Sequence, residues 1–156
     1  MVEAIHDRRC IVYGAETGHG PALVRALRAA GAQVAITSAT TEGAALFALK
    51  RLAGPGGAAQ AVDLTNPTNI RVATRKLAKQ LGGLDVAVVA TAAGGSALLE
   101  VAARELARSP HPRLFVVGEA TGVEDIPDLR GVPLHTLSEP DPVAQLLALL
   151  RDGGAR

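Results

Sequence analysis

Two spacings of apolar residues alternate along this chain. Residues 10–13, 33–37, 59–64, 85–91, 113–118 and 132–137 are mostly apolar runs too short for helices, and they predict strands buried on both faces. Between them the apolar positions recur at helical spacing. Leu23, Val24, Leu27 and Ala30 predict a helix over 21–30 that keeps Arg25 and Arg28 off its apolar face. Pro21 suits its first turn and Gly31 the position just past its end. Thr41 and Glu42 open a second helix with Leu46, Leu49 and Leu52 inward, closing near Gly54-Pro55-Gly56-Gly57. Thr65-Asn66-Pro67 starts a third, carrying Ile70, Ala73, Leu77 and Leu81 up to Gly82-Gly83. A fourth, over 96–108, buries Leu98, Val101, Ala102 and Leu106. Asp141-Pro142 starts the last, with Val143, Leu146, Leu147 and Leu150 inward and its end at Gly153-Gly154. Residues 119–131, interrupted by Pro127, predict a loop with at most one helical turn.

Strands and helices in alternation predict an α/β protein with a doubly wound, mainly parallel sheet of five to six strands. Right-handed crossovers favour the strand order 3-2-1-4-5-6, with 10–13 and 85–91 as adjacent central strands. No linker or repeat divides residues 1–156, so one domain is expected.

Composition narrows the functional classes. The chain is 48% hydrophobic, yet no apolar run approaches the ~20 residues that span a bilayer. Met1-Val2-Glu3-Ala4-Ile5-His6-Asp7-Arg8-Arg9 has no apolar stretch ahead of its charges and does not read as a signal peptide. A net charge of +1, with Lys and Arg spread along the chain, gives no footprint for nucleic acid. Tyr13, Phe47 and Phe115 are the only aromatics, too few for a stacking platform. Cys10 stands alone, which rules out an internal disulfide and fits a reducing cytoplasm; its place in an apolar run predicts inert packing.

The candidate chemistry lies between the first strand and first helix, in Gly14-Ala15-Glu16-Thr17-Gly18-His19-Gly20. Gly14 lets the chain turn sharply out of the strand. Gly18 removes a side chain where a phosphate must touch backbone. Gly20 lets the helix pack closely on the sheet. The helix then directs its open N–H groups, and about half a positive charge, at a bound anion. A tight turn without a ligand would use the same glycines. The strand-to-helix context favours nucleotide phosphates, and the loop alone leaves a mononucleotide or coenzyme A open as ligands.

From about Arg9 to Ala93 the chain resembles the short-chain dehydrogenase/reductase family. The three glycines match the family's opening T-G-x-x-x-G-x-G motif, with Tyr13 in place of the leading Thr. Asp63-Leu64 stands where the family has an acidic residue whose carboxylate meets adenine. Leu84-Asp85-Val86-Ala87-Val88-Val89-Ala90-Thr91-Ala92 is similar to the family's fourth strand, without its asparagines. The resemblance implies a Rossmann-like dinucleotide-binding fold and a cofactor, NAD or NADP. It also implies cofactor contacts at Gly14, Thr17, Gly18, His19, Gly20, Ser38, Asp63, Leu64, Ala90, Thr91 and Ala92. The second strand ends in Thr37-Ser38-Ala39-Thr40-Thr41, with neither an acid for ribose hydroxyls nor a base for an extra phosphate. Glu16 and Glu42 would repel that phosphate, which tilts the choice towards NAD.

The family's reaction rests on a Tyr-x-x-x-Lys pair with a serine and an asparagine. Tyr13 is the only tyrosine, and Lys50, Lys76 and Lys79 all precede the fourth strand. The two long helices that carry the pair, and usually build the oligomer, are expected to be shortened or absent. Glu119 and Thr121 follow the fifth strand, and Glu119 is the weak candidate for an acid or base. Ser96 after Gly94-Gly95 reads as a cap, His135 as a satisfied strand residue, and His6 and His111 as loop residues. No metal-ligand spacing is present. Three functions remain in competition. One is a reduced, inactive nucleotide-binding relative. The second is an oxidoreductase whose proton donor comes from outside the family's set or from a partner subunit. The third is an interaction protein without nucleotide. A homodimer through a new surface, near Leu134 and Leu137, is also expected.

Overall fold

The computed structural model describes residues 7–15, 19–38, 47–48, 50–52, 54, 58–90, 95–117, 129–137 and 141–154. Six strands form one sheet: β1 (Arg9–Tyr13), β2 (Gln33–Ser38), β3 (Ala58–Ala61), β4 (Val86–Val89), β5 (Arg113–Val117) and β6 (Leu134–Leu137). Their order is β3-β2-β1-β4-β5-β6, and every pair is parallel. The chain builds outward from β1 through β2 to β3, returns to the centre at β4, and builds the other way. That reversal opens a crevice between the carboxyl ends of β1 and β4, where open α/β sheets bind ligands. This Rossmann-like order and the adjacency of β1 and β4 are those expected from the sequence.

The helices are α1 (Gly20–Ala29), α2 (Pro67–Leu81), α3 (Gly95–Leu106) and α4 (Pro142–Gly154). Residues 47–48 and 50–52 are also helical. Each strand feeds two cores by alternation. Ile11, Tyr13, Ala87, Val89, Leu114 and Val116 pack with α2 and α3. Cys10, Val12, Val86, Val88 and Phe115 pack with α1 and α4 on the other face. With few large side chains available, Leu, Ile, Val and Ala fill both layers and keep the helices close to the sheet.

Local chemistry sets the element ends. Asn66 accepts from the Asn69 amide at 3.2 Å and caps α2, and Gly82 closes that helix in the left-handed conformation. Asp141 caps α4 by accepting from the Ala144 amide at 3.0 Å. The third strand is shorter than its apolar run: it ends at Ala61, although Val62 and Leu64 stay buried beyond it. Burial outlasts the strand there because the chain bends into a turn. The sixth strand begins at Leu134 rather than 132, since Pro133 has no amide to donate; its carbonyl accepts from Leu114 at 3.0 Å. Leu137 is fully buried, so it cannot belong to a dimer surface. Leu46, Leu49 and residues 118–128 lie outside the described residues.

Candidate functional site

The carboxyl edge of the sheet collects the site. Tyr13 is in register with Thr37 on one side and Val89 on the other. Gly14, Ser38 and Ala90, the residues after these three, therefore share one edge. Gly14 turns the chain out of β1 with φ +74°, a conformation that L side chains rarely adopt. Its amide donates to Thr37 Oγ1 at 3.3 Å, and the Ala15 amide donates to the Thr37 carbonyl at 3.0 Å. Thr37, buried at the end of an apolar strand, thus fixes the start of the glycine loop from below. The Ala90 amide donates to the Tyr13 carbonyl at 2.9 Å and extends the central pairing to the edge.

The chain re-enters α1 at His19 and Gly20. A Cβ on Gly20 would meet the Ala15 carbonyl oxygen at 2.5 Å and its carbon at 2.7 Å. The close approach that requires glycine is therefore between the helix start and the loop's own first turn. The sequence leads one to expect that contact on the sheet; the fold places it on backbone that has just left the sheet. His19 caps α1 by position, yet its side chain makes no capping bond, unlike Asn66 and Asp141. Pro21 has no amide to offer, and the first turn holds no acid. This helix end presents a positive partial charge, and among the described residues no side chain makes a capping bond to it.

The other predicted positions divide. Asp63 is exposed after β3, and its Oδ1 accepts from the Thr65 amide at 3.0 Å and the Thr65 hydroxyl at 2.6 Å. Those bonds hold its carboxyl below the usual range and make it part of the turn into α2. Leu64 is buried in the core beside α2. Ser38 is buried at the end of β2, and its carbonyl accepts from the Val62 amide at 2.8 Å. Thr17, Gly18, Thr91, Ala92 and Glu119 lie outside the described residues.

Tyr13 and Cys10 belong to the core. Tyr13 is buried and shares a 2.8 Å hydrogen bond with Thr74 Oγ1; burial pushes its hydroxyl above the usual range. Cys10 is fully buried, and burial likewise raises its thiol. His135 stacks on Phe115 at 5.2 Å between ring centres and meets Arg113 Nη1 at 3.1 Å through Nε2. Burial and the Arg113 charge lower its pKa. Among the described residues no cluster of His, Cys, Asp or Glu could hold a metal ion.

A feature not apparent from the spacing occupies the opposite edge of the sheet. Asp85 accepts from Arg9 Nε at 2.9 Å, Arg9 Nη2 at 3.1 Å, the Arg9 amide at 3.1 Å and Ser109 Oγ at 2.7 Å. Burial pushes this carboxyl up, but the Arg9 and Ser109 hydrogen bonds outweigh it and hold the pKa at about 2. Asp85 joins β1, β4 and the turn after α3. It is a tie of the scaffold, far from the glycine loop.

The fold recurs in solved structures. A doubly substituted Serratia marcescens short-chain dehydrogenase/reductase is 24% identical, with a TM-score of 0.62 over 74% of this chain and 56% of that one. A C-terminal deletion mutant of Thermoplasma acidophilum aldohexose dehydrogenase is 20% identical, with a TM-score of 0.61 over 74% of this chain and 51% of that one. A short-chain type dehydrogenase/reductase from Mycobacterium ulcerans is 23% identical, with a TM-score of 0.61 over 72% of this chain and 51% of that one. At these identities the likeness is one of fold, and the chain spans less than two thirds of each of them. No curated protein matches the sequence. The family model for enoyl-(acyl carrier protein) reductase matches residues 14–113, from the glycine turn to the start of β5. That span is more than half of the chain and takes in the glycine loop and β2 to β4, and the chain belongs to the short-chain dehydrogenase/reductase family.

Proposed function

We propose that this chain binds a nicotinamide dinucleotide, NAD in preference to NADP, and that by itself it transfers no hydride. The observation that carries the binding is the start of α1, where His19 makes no side-chain capping bond, held by Gly14 and Gly20 against the carboxyl edge at the β1–β4 crevice. A pyrophosphate there would meet helix amides and a backbone free of side chains. In this reading Gly14, Thr17, Gly18, His19 and Gly20 hold the phosphates, Ser38 and Asp63-Leu64 the adenosine half, and Ala90, Thr91 and Ala92 the floor of the crevice. Bound there, the cofactor would supply hydride chemistry. The chain would supply orientation and shelter from water.

The preference for NAD rests on charge. The second strand ends in Thr37-Ser38-Ala39 without a cation for a 2′-phosphate, and Glu16 and Glu42 oppose one. The inactivity rests on inventory: the chain has one tyrosine, in the core, and no lysine after Lys79. Arginine cannot stand in, because it stays charged at any working pH. The protein is proposed to work in the cytoplasm as a homodimer or as a subunit beside an active partner.

Calorimetric titration with NAD(H), NADP(H), ATP and coenzyme A tests the binding. NADH is expected to bind most tightly. Gly18→Val should weaken it at least tenfold, about 1.4 kcal/mol, with the circular dichroism spectrum kept. Equal affinity in that variant would reduce the loop to a turn, and tighter binding of ATP or coenzyme A would reassign the ligand.

A further inference from the structure

One cleft of the structure lies away from the glycine loop. It lies at the amino edge of the sheet, between the C-terminal ends of α2 and α3, and measures about 860 Å³. That is within the ~300–1,000 Å³ usual for small-ligand sites. Arg9 and Leu84 close its inner side, and Arg75, Lys76, Lys79 and Arg108 line its rim.

The lining is charged in one sense. Arg9 is committed to Asp85 and to the Gly82 carbonyl, at 2.5 Å from Nη1, so this floor pair is neutral and the negative end of α2 is covered. Glu105, the one acid among the described residues of the wall, lies 3.9 Å from Arg75 and offsets it. Lys76, Lys79 and Arg108 remain, each exposed and with no partner among the described residues. Three uncompensated cations facing one concavity focus a positive potential into it. From Arg9 to Gly14, β1 spans roughly 16 Å at ~3.3 Å per residue, about twice the screening length at physiological salt. The cleft and the glycine loop are therefore separate sites.

We propose that this cleft binds a small phosphorylated molecule through Lys76, Lys79 and Arg108, independently of the nucleotide site. The concave shape favours a small ligand over a nucleic acid, which would need a basic track continued across the surface, with aromatics to stack on. Recognition would come from charge-assisted hydrogen bonds to phosphate oxygens at the rim, with the Ser109 backbone and the Gly82–Gly83 turn alongside.

Inorganic tripolyphosphate is the probe. Titrated into the full chain at about 150 mM salt, it should bind, and Lys79→Gln and Arg108→Gln should each weaken it about tenfold. Both side chains are exposed, so the melting temperature should hold. Lys50→Gln, away from the cleft, is the control and should bind as the parent does. In parallel, nitrogen–proton spectra should show the amides of Gly82, Gly83 and Ser109 moving on addition of the probe. Unchanged affinity in both cleft variants overturns the proposal. So does equal weakening by Lys50→Gln, which would mean general charge attraction. Shifts confined to Gly14 and Gly20 would place the phosphate at the glycine loop instead, and preferential binding of an oligonucleotide would reassign the surface.

Discussion

Gly20 illustrates how little freedom a single residue has in this fold. A methyl group there meets backbone, which cannot rotate away as a side chain would. Gly20→Ala is expected to cost about 2 kcal/mol, roughly 4–8 °C in melting temperature, and to weaken nucleotide binding through the displaced loop. Calorimetric melting checks the first effect and ligand titration the second. Asp85 gives a pH-dependent counterpart. Its folded pKa of about 2 lies below the ordinary 3.8, so its contribution is present above pH ~4 and is lost as pH falls towards ~2. Discounted for solvent screening, that contribution is about 1–2 kcal/mol. Asp85→Asn should therefore melt lower than the parent at pH 7, and the gap should close by pH ~2. A gap that stayed constant with pH would show that the carboxylate charge is not what ties Arg9 and Ser109. The glycines were legible in the sequence because turns require them. The partners of Asp85 were not: Arg9 is far away in sequence, and a strand-leading acid looks the same whether solvated or clasped.

Among the elements, α2 is the most fully specified by its own residues. Asn66 caps it, Pro67 opens it, and Gly82 closes it. Asn66→Ala should cost about 1 kcal/mol, visible as a lower denaturant midpoint with an unchanged slope. Tyr13→Phe should cost a similar ~1 kcal/mol, because Thr74 loses its partner inside the core. It should leave nucleotide affinity unchanged, which separates Tyr13 from the family's catalytic tyrosine. The six strands and the helices α1 to α4 could be read from periodicity to within a few residues. The errors have physical sources: apolar burial continued past β3, Pro133 delayed β6, and α3 gave way early to the turn that offers Ser109 to Asp85. The amino-edge cleft was hidden for another reason. Lys76 and Lys79 on α2 and Arg108 after α3 are ordinary solvent-facing positions in their own segments. Only the packing of α2 beside α3 makes them neighbours.

At the scale of the whole molecule, the fold sets the glycine loop and the amino-edge cleft at opposite edges of one sheet. Parallel strands send every turn after a strand to one side, so Gly14, Ser38 and Ala90 meet there although scattered in sequence. Assayed alone with NADH and a panel of aldehydes, ketones and quinones, the protein is expected to show no cofactor oxidation above background. Turnover abolished by Glu119→Gln would make that residue the proton donor and the protein an enzyme. Light scattering at micromolar concentration should give the mass of a dimer, and a monomer mass would remove the proposed homodimer. The strand order also has a consequence for synthesis. β1 is complete at Tyr13, but its central neighbour β4 ends only at Val89. At ~5–20 residues per second the ribosome takes roughly 4–15 s to make the difference, against microseconds for strands to pair. Throughout that interval Cys10–Tyr13, among the most apolar segments of the chain, has an unmatched backbone edge. The yield of native protein in a cell then depends on what shields that edge while it waits.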